Sequence, residues 1–554
     1  MQTRSLSFLL AAFVAIVLFA SCSSKSNKAG LSIPKNAAIV LHLNGESLSA
    51  KLPWEEVKKA DFFKEASSDT SVSAYLKAAL DNPDNTGIDV KKDIIVFVQK
   101  DSLGGYVSIQ GTVKDEAKFK EFSVNAAKGA AATEKDGISF VTKERTTTSW
   151  KKEKFIIVID APEMNELNKA SYDDLTPAAP TSNRDGIAAA TALYNLKEDN
   201  SLAKDEKFSD LLSTKGDIHF WFNGEAFGAG NPALSALGMM NLSKLTEGSI
   251  TAATANFENG KIVADLKSYS GKELSEIWKK YSGDKISSDM AKRIPSKDIA
   301  AFFALNFKPE GIREVLKLAG MEGWANMGAA QVGFTMDDFI KANKGDILFS
   351  VTDIRNDSVT GKDANFLFAT SIGDKASFGK LIDAGKKIGG MSMGSDPKVF
   401  FNSNDNYFAI GNNKAGIDNY IAGSNSKAFD LFDQITGGPV GGYVNFQYIL
   451  NSMKDDGRRD SLDNEIFTAS LKMWDNLLAK GGNFEDGAMT QHIEVNLVDK
   501  TTNSLKQLNS YLGVVSAIEK KKKEKREKEW GDWDNTTSPV IDTMTTVTAP
   551  VPSN

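Results

Sequence analysis

Short patterns in the first half of the chain recur in the same order in the second half, and this duplication limits the folds open to the sequence. The matching segments are 33–34 with 294–295, 92–94 with 345–347, 115–119 with 374–378, and 256–260 with 483–487. Three pairs are about 260 residues apart and the fourth about 230. We predict two related domains, at residues 31–285 and 286–515; chance similarity of short patterns is the alternative.

The shorter last separation predicts that the first half carries about thirty extra residues. Pro177 and Pro180 lie in a stretch that is rich in turn-forming residues. We therefore expect the extra residues to form a loop within 172–200.

Each half alternates short apolar strand patterns with amphipathic helical patterns. Hairpins are predicted at 253–266 and 400–411, and a helix is predicted after Asp115. Two apolar stripes are expected to form helices that close the domains, Leu274, Ile277, Trp278 and Tyr281 in the first and Leu505, Leu508, Leu512 and Val515 in the second. These patterns predict the α+β class, with two tandem, internally duplicated domains of antiparallel sheet covered by helices.

Asn44 and Asn223 each stand between an apolar strand and a helical pattern, and a glycine follows each of them. Asparagine caps helices well, and glycine permits the turn that precedes a helix. We interpret the repeat as helix capping that was copied with the duplication; a binding loop is the alternative.

Cys22 is the only cysteine in the chain, and it follows the uncharged apolar run 5–20. The run is short for a bilayer crossing, which favours a signal peptide. Residues 18–22 resemble the lipobox of bacterial lipoproteins. This resemblance implies that residues 1–21 are removed and that Cys22 is the lipid attachment site; an uncleaved signal anchor is the alternative. With its thiol acylated, the chain has no cysteine left for a disulfide.

The polar segment 22–30 is expected to act as a flexible tether. In the lipoproteins that the chain resembles, serine after the cysteine favours the outer membrane, and an acidic run marks export to the cell surface. No acidic run follows Cys22. We therefore expect an outer-membrane lipoprotein of the cell envelope on the periplasmic face, with the membrane as a partner through its anchor.

The chain's end, 516–554, is predicted to be a charged helix followed by a disordered tail. Its basic residues suit anionic lipid or peptidoglycan carboxylates. The interspersed glutamates favour pairing within the helix instead. A formal net charge of −6 argues against a general nucleic-acid binder.

The sequence shows no catalytic motif, and we predict no catalytic residue, metal site or cofactor. His42, His219 and His492 are far apart, and none lies in a zinc-binding or hydrolase signature. A Ser-His-Asp triad assembled from distant residues stays open. The segment 81–89 resembles a calcium loop, but proline and threonine occupy its third and sixth positions, so a turn is the favoured interpretation.

Two apolar, glycine-broken segments, 227–240 and 318–330, are rich in methionine. Methionine surfaces adapt to varied partners. The candidate ligand or partner surface consists of Met239, Met240, Met321, Trp324 and Met327. Two loose helices packed on the sheet are the alternative.

The lipobox, the segment 33–45 and the segment 86–89 together resemble a family of large Bacteroidota lipoproteins, domain of unknown function 4836. The resemblance implies compartment and architecture and supplies no reaction. Our leading hypothesis is a non-enzymatic binding or scaffold module of the envelope, whose partners are envelope proteins or peptidoglycan. A carrier of apolar ligands or lipids and a hydrolase with an unrecognised site are the alternatives.

Overall fold

The computed structural model describes residues 28–60, 63, 77, 81–162, 184–228, 241–357, 361–392, 399–423, 432–454 and 459–536. The predicted signal peptide, Cys22, Met239, Met240 and the end of the tail lie outside the described residues. Within them, every strand pairing is antiparallel, and the strands form one 18-stranded sheet.

The strands form where β-branched and aromatic residues alternate with smaller or polar residues. In chain order they are β1 (Ile39–Leu43), β2 (Ile94–Asp101), β3 (Gly104–Thr112), β4 (Thr133–Lys135), β5 (Ile138–Lys143), β6 (Thr146–Lys151), β7 (Lys154–Asp160), β8 (Ile218–Asn223), β9 (Ile250–Glu258), β10 (Lys261–Tyr269), β11 (Ile299–Asn306), β12 (Asn343–Asp357), β13 (Gly361–Ile372), β14 (Phe400–Ser403), β15 (Tyr407–Gly411), β16 (Val440–Asn445), β17 (Trp474–Glu485) and β18 (Ala488–Leu497).

The α-helices lie between these strands and after the last one. They are α1 (Gly45–Lys51), α2 (Trp54–Val57), α3 (Glu116–Ala126), α4 (Gly186–Tyr194), α5 (Glu206–Ser213), α6 (Gly224–Gly228), α7 (Ser243–Thr246), α8 (Lys272–Tyr281), α9 (Ser288–Lys292), α10 (Pro309–Leu318), α11 (Glu322–Val332), α12 (Met336–Ala342), α13 (Lys375–Ser392), α14 (Lys414–Ala422), α15 (Phe432–Ile435), α16 (Phe446–Ser452), α17 (Ser461–Met473) and α18 (Ser504–Thr536). Short 3₁₀ helices occur at Lys28–Ser32, Pro83–Thr86, Glu198–Asn200 and Leu202–Lys204.

The two halves of the sheet have the same strand order. In the first half the neighbours run β4-β5-β6-β7-β3-β2-β1-β8-β9-β10, and in the second β14-β15-β13-β12-β11-β16-β17-β18. The final strands of the halves, β10 and β18, pair with each other. The predicted α+β class is confirmed, with the two sheets joined into one. The boundaries 31–285 and 286–515 stay a prediction.

One part of the duplication differs between the halves. β6 and β7 correspond to β14 and β15, but the first half adds the strands β4 and β5 beyond β6. Residues 172–183 of the predicted loop lie outside the described residues. The rest of the prediction is wrong in part, because residues 186–194 form α4, which Asp185 caps by accepting from the Ala188 N–H. Alanine-rich sequence after a capping aspartate favours a helix over a loop.

The asparagines at the strand ends do cap helices. The Asn44 side chain accepts from the Ser47 N–H at 3.1 Å, and that of Asn223 from the Ala226 N–H at 2.9 Å. Asn445 at the end of β16 does the same for α16. The corresponding Asn306 instead donates to Asp346 at 2.8 Å. Capping therefore explains three of the four corresponding asparagines, and Asn306 is the exception.

Side chains pack on both faces of the sheet. The face that carries Val40 and Phe302 is called the back face; its clusters are covered by α4 and α5 in the first half and by α9, α14 and α15 in the second. The opposite, front face has a buried cluster in the first half, which includes Leu43, Phe155 and Phe257. The predicted hairpins and the helix after Asp115 are confirmed.

The helix that ends each half packs on the other half. Leu505 of α18 is 3 % exposed within the front cluster of the first half, and Asn509 donates to the carbonyl of Glu56. α8 packs on α10 of the second half. The expectation that each apolar stripe closes its own domain is therefore incomplete. α18 also packs on its own half, against α17 and against Trp474 of β17, whose ring lies 5.5 Å from that of Tyr511. The last helix of each half therefore bridges the two halves beside the β10–β18 junction.

The basic part of α18 also has partners outside its own helix. Lys522 lies 3.2 Å from Glu519 one turn earlier and 2.8 Å from Asp463 of α17. Lys521 lies 3.2 Å from Glu465 of α17. Pairing within the helix was the predicted arrangement, and pairing with α17 adds to it. None of the helices in the described ranges combines the length and the apolar character that a bilayer crossing requires.

Candidate functional site

The front face of the second half presents three exposed phenylalanines on adjacent central strands. Phe303 of β11 is directly opposite Phe349 of β12, and Phe366 of β13 is opposite Val351, the next front-facing residue of β12. Side chains alternate between the faces of a strand, so all of these residues point the same way. Phe303, Phe349 and Phe366 are called the phenylalanine patch below.

The patch is open to solvent although its strands lie inside the sheet. Phe303 is 45 % exposed, Phe349 39 % and Phe366 38 %. Their back-facing neighbours, such as Phe302 and Leu348, are buried at 3 % and 1 %. An aromatic side chain offers 150–250 Å² in total, so the exposed rings present roughly 200–300 Å² of apolar surface. The largest apolar patch of a typical monomeric protein covers about 300–600 Å² and is often functional, so this patch is of ordinary size and is a candidate site because of its position on central strands.

The corresponding positions of the first half are filled differently. The duplicated strand register puts Leu41, Val96 and Val107 where the second half has the three phenylalanines. Leu41 and Val96 pack against the front cluster, to which α1, α2, α3 and α18 contribute. Fifteen described residues form that cluster, but only three, Ala342, Ile372 and Phe378, form the buried core on the front of the second half. The second half therefore has larger side chains and less cover.

Part of the predicted methionine surface lies on α11. Trp324 is 52 % exposed and Met327 51 %, and their spacing of three places them on one side of the helix. Met321 is half-buried just before the helix. The Asn241 N–H donates to the carbonyl of Ala319 at 2.9 Å, which brings the residue that follows the first methionine segment close to the second segment. The role of these residues stays a prediction.

Two of the three histidines form a buried pair on the back face. Their Nδ1 atoms are 3.0 Å apart. His219 donates from Nε2 to the carbonyl of Thr214 at 2.8 Å, so its Nδ1 accepts from His42. His42 Nε2 lies 3.2 Å from Asp93. Burial lowers the pKa of His219. All four ring nitrogens have partners and none is a serine, so the pair joins β1 to β8.

His492 lies on the back face at the junction of the halves. Its Nδ1 is 2.7 Å from Asp265 and its Nε2 3.1 Å from Glu494, which also pairs with Lys261. Partial burial lowers the pKa of His492, but the two carboxylate hydrogen bonds outweigh it and the pKa is raised. Both nitrogens are engaged, which leaves none to activate a serine. The observations on the described residues give no support to the hydrolase hypothesis.

In the described ranges, no group of three or more histidine, cysteine or acidic side chains is arranged to hold a metal ion. The segment that resembled a calcium loop forms a 3₁₀ turn, in which Asn82 accepts from the Asp84 N–H. Asp81 lies 3.5 Å from Lys58 and Asp84 3.0 Å from Lys114. These carboxylates are engaged by lysines, which fits the turn.

The sequence matches the family described as domain of unknown function DUF4836 over residues 32–414. This match spans more than half of the chain. The chain belongs to the DUF4836 family. The family resemblance is therefore confirmed, whereas the lipid anchor and the bacterial group stay predictions.

Other comparisons add little to the DUF4836 assignment. No curated protein matches the sequence. The chain is weakly similar to the solved structure of crystal form IV of TP0453, with a TM-score of 0.26 and 11 % identity over 43 % of this chain and 79 % of that one. For crystal form III of TP0453 the values are 0.24 and 11 %, over 48 % and 90 %. A likeness of this size carries neither fold nor function to this DUF4836 chain.

Sequence reasoning missed the phenylalanine patch in this DUF4836 chain. β11 reads Ile-Ala-Ala-Phe-Phe-Ala-Leu-Asn, and an unbroken apolar run usually means a strand that is buried on both faces. One signal was available in the sequence. The first-half counterpart of β11 is β1, and it carries Leu41 and His42 where β11 carries Phe303 and Ala304. The divergence between the repeats therefore pointed to β11 without showing its exposure.

Proposed function

We propose that this DUF4836 protein is a non-enzymatic, lipid-anchored binding module of the cell envelope that holds an acyl-chain lipid on its phenylalanine patch. The observation that carries the proposal is the exposure of Phe303, Phe349 and Phe366 on central strands. The leading hypothesis from the sequence, a binding module, is thereby combined with its alternative, an apolar carrier.

The chemistry of the patch favours an acyl chain over a protein partner. A stable protein interface buries about 800 Å² on each side, which is several times the exposed area of the three rings. The patch strands are hydrogen-bonded on both sides within the sheet, so their backbone offers no pairing edge. Apolar area at about 25 cal/mol per Å² gives roughly 5–8 kcal/mol of gross stabilisation, from which the cost of association is subtracted.

Native mass spectrometry tests the ligand. The Cys22→Ala protein, which lacks the proposed attachment site, is measured before and after incubation with phosphatidylethanolamine vesicles. We expect a lipid adduct that Phe303→Gln removes and Phe227→Gln retains, because Phe227 is 44 % exposed but lies in the first half, outside the patch.

Two outcomes would overturn this assignment. One is a protein mass without lipid under all conditions. The other is a dimer in analytical ultracentrifugation that Phe303→Gln dissociates, since that result would make a second copy the occupant of the patch.

The anchor is tested separately. Two or more acyl chains hold a protein on a membrane almost irreversibly. We expect the native chain to fractionate with outer membranes and the Cys22→Ala variant to be released into the soluble periplasmic fraction. Retention of the variant in the membrane fraction would contradict the lipid anchor and leave the ligand proposal standing.

A further inference from the structure

The strand β14 forms the outer edge of the second half. In the described part of the chain it pairs with β15 alone, with Phe401 opposite Ile410. The Asn404 N–H donates to the carbonyl of Tyr407 at 2.9 Å and closes the hairpin turn. Hydrogen-bonded and non-hydrogen-bonded pairs alternate in an antiparallel ladder. Counted from this turn, the backbone N–H and C=O of Phe401 point away from β15.

The duplication shows what occupies the corresponding edge in the first half. The counterpart of β14 is β6, and β6 pairs with β7 on one side and with β5 on the other. By register, Phe401 corresponds to Thr148, which is opposite Val141 of β5. Asn402 corresponds to Ser149, which is opposite Phe140 of β5. The second half therefore has the same outer edge, but none of its described residues forms a strand beside β14.

The side chains of β5 also fill space that is open in the second half. Ile138 and Phe140 are each 1 % exposed and share a cluster with Ala190 and Leu193 of α4. α14 is the counterpart of α4, since each packs on the outer hairpin of its own half. Between α14 and β14 lies a depression of about 360 Å³, lined by Val399, Phe400, Phe401, Asn402, Lys414, Ile417 and Asp418. This volume is within the range of ligand-binding pockets.

We propose that β14 is a docking site for an extended peptide segment of another protein, which adds to the sheet as an antiparallel strand in the place that β5 takes in the first half. The peptide's residue opposite Asn402 enters the depression and packs on α14. Its neighbour opposite Phe401 lies on the front face beside that ring, which is 53 % exposed. Main-chain hydrogen bonds supply affinity in such strand addition, and the alternate side chains supply specificity.

The features of the depression fit a peptide with an apolar residue at the inner position. Ile417 provides an apolar floor, at 2 % exposure. Asp418 is already held by Lys414 at 2.6 Å and by Asn402 at 2.8 Å, so the charges at the rim are neutralised. A second copy fits less well, because two four-residue strands bury far less than the roughly 800 Å² per partner of a stable dimer. The site shares no residue with the phenylalanine patch, and the proposed peptide does not depend on the proposed lipid.

The chain itself supplies a probe. A synthetic peptide with the sequence of residues 136–144 contains β5 and is added to the full-length protein. We expect saturable binding by fluorescence anisotropy and at least about tenfold slower hydrogen exchange of the Phe401 amide at saturation. The same peptide with its Phe140 position changed to serine is expected to bind at least about tenfold more weakly, because it leaves the depression unfilled.

Two variants of the protein separate backbone pairing from side-chain contact. Phe401→Pro removes the outward N–H and puts a ring in the path of the incoming strand, while the bonds to β15 are kept. We expect it to lose binding by at least about tenfold, and Phe401→Ala to bind within about threefold of the native protein. Unchanged near-ultraviolet circular dichroism shows that each variant is folded.

The proposal is overturned by unchanged hydrogen exchange at Phe401 up to about 1 mM peptide, or by equal binding to the Phe401→Pro and Phe401→Ala proteins. It is also overturned if the native protein sediments as a dimer that Phe401→Pro converts to a monomer, because a second copy is then the occupant. A failure of lipid binding in the mass spectrometric experiment has no bearing on any of these results.

Discussion

Truncation of Leu505 should destabilise the first half of the sheet, although the residue follows the last strand of the second. Leu505 is 3 % exposed and belongs to the front cluster with Leu48 and Phe257. Leu→Ala at a buried position costs about 2–5 kcal/mol, which combines lost burial with the cavity that remains. The structure offers few routes to fill that cavity, because α18 is fixed beside it by the hydrogen bond from Asn503 to the Phe257 carbonyl at 2.8 Å.

Hydrogen exchange and urea unfolding measure this effect. We expect the Leu505→Ala protein to lose about 2–5 kcal/mol of stability, with faster exchange concentrated in β1, β2 and β9. Leu512→Ala is the matched control on the same helix; Leu512 is 47 % exposed, so its truncation should change stability by no more than about 0.5 kcal/mol. Faster exchange confined to β16, β17 and β18 would refute the packing of Leu505 on the first half.

Three further predictions concern polar contacts. His492→Gln should reduce stability at about pH 5.5 and have little effect at about pH 9 in urea unfolding. The reason is that the pKa of His492 is raised in the folded state. The resulting stabilisation is fully present below the unfolded pKa of about 6.5 and is lost as pH rises through the higher folded pKa. Asp217→Asn should cost about 3–5 kcal/mol in the same assay, because the buried carboxylate holds the Lys51 ammonium at 2.7 Å and the Phe257 N–H at 2.6 Å. Asn44→Ala should cost about 1 kcal/mol by loss of a helix cap, and an unchanged midpoint would contradict the capping role.

Local features of this fold were predictable because local sequence determines them. The turns at 259–260 and 404–406 and the cap at Asp115 need only a few adjacent residues, and the structure has all three. The packing of α18 on the first half was not predictable. The stripe that contains Leu505 identifies the buried side of a helix, but it carries no information about which half of the duplicated sheet that side meets.

The candidate site was predictable only in part, for a related reason. Composition drew attention to Trp324 and Met327, and both are exposed on α11. The exposure of Phe303 depends on how much of the front face the neighbouring helices cover, and that depends on tertiary packing. Likewise, the hairpin 400–411 was predicted, but its open edge follows from the strand order rather than from its own residues.

The two halves differ in how the edge and the front face of the sheet are covered, and this difference bears on function. Among the described residues, the first half fills both positions that are open in the second half: β5 lies on the edge of β6, and α18 with the helices around Leu48 covers the front face. An exposed edge strand and exposed aromatic residues both favour aggregation, so a purely structural domain gains from covering them. The first half shows that this fold can do so. The exposure of Phe401 at this edge and of Phe303 on this face therefore fits the two proposed occupants, a peptide strand and an acyl chain.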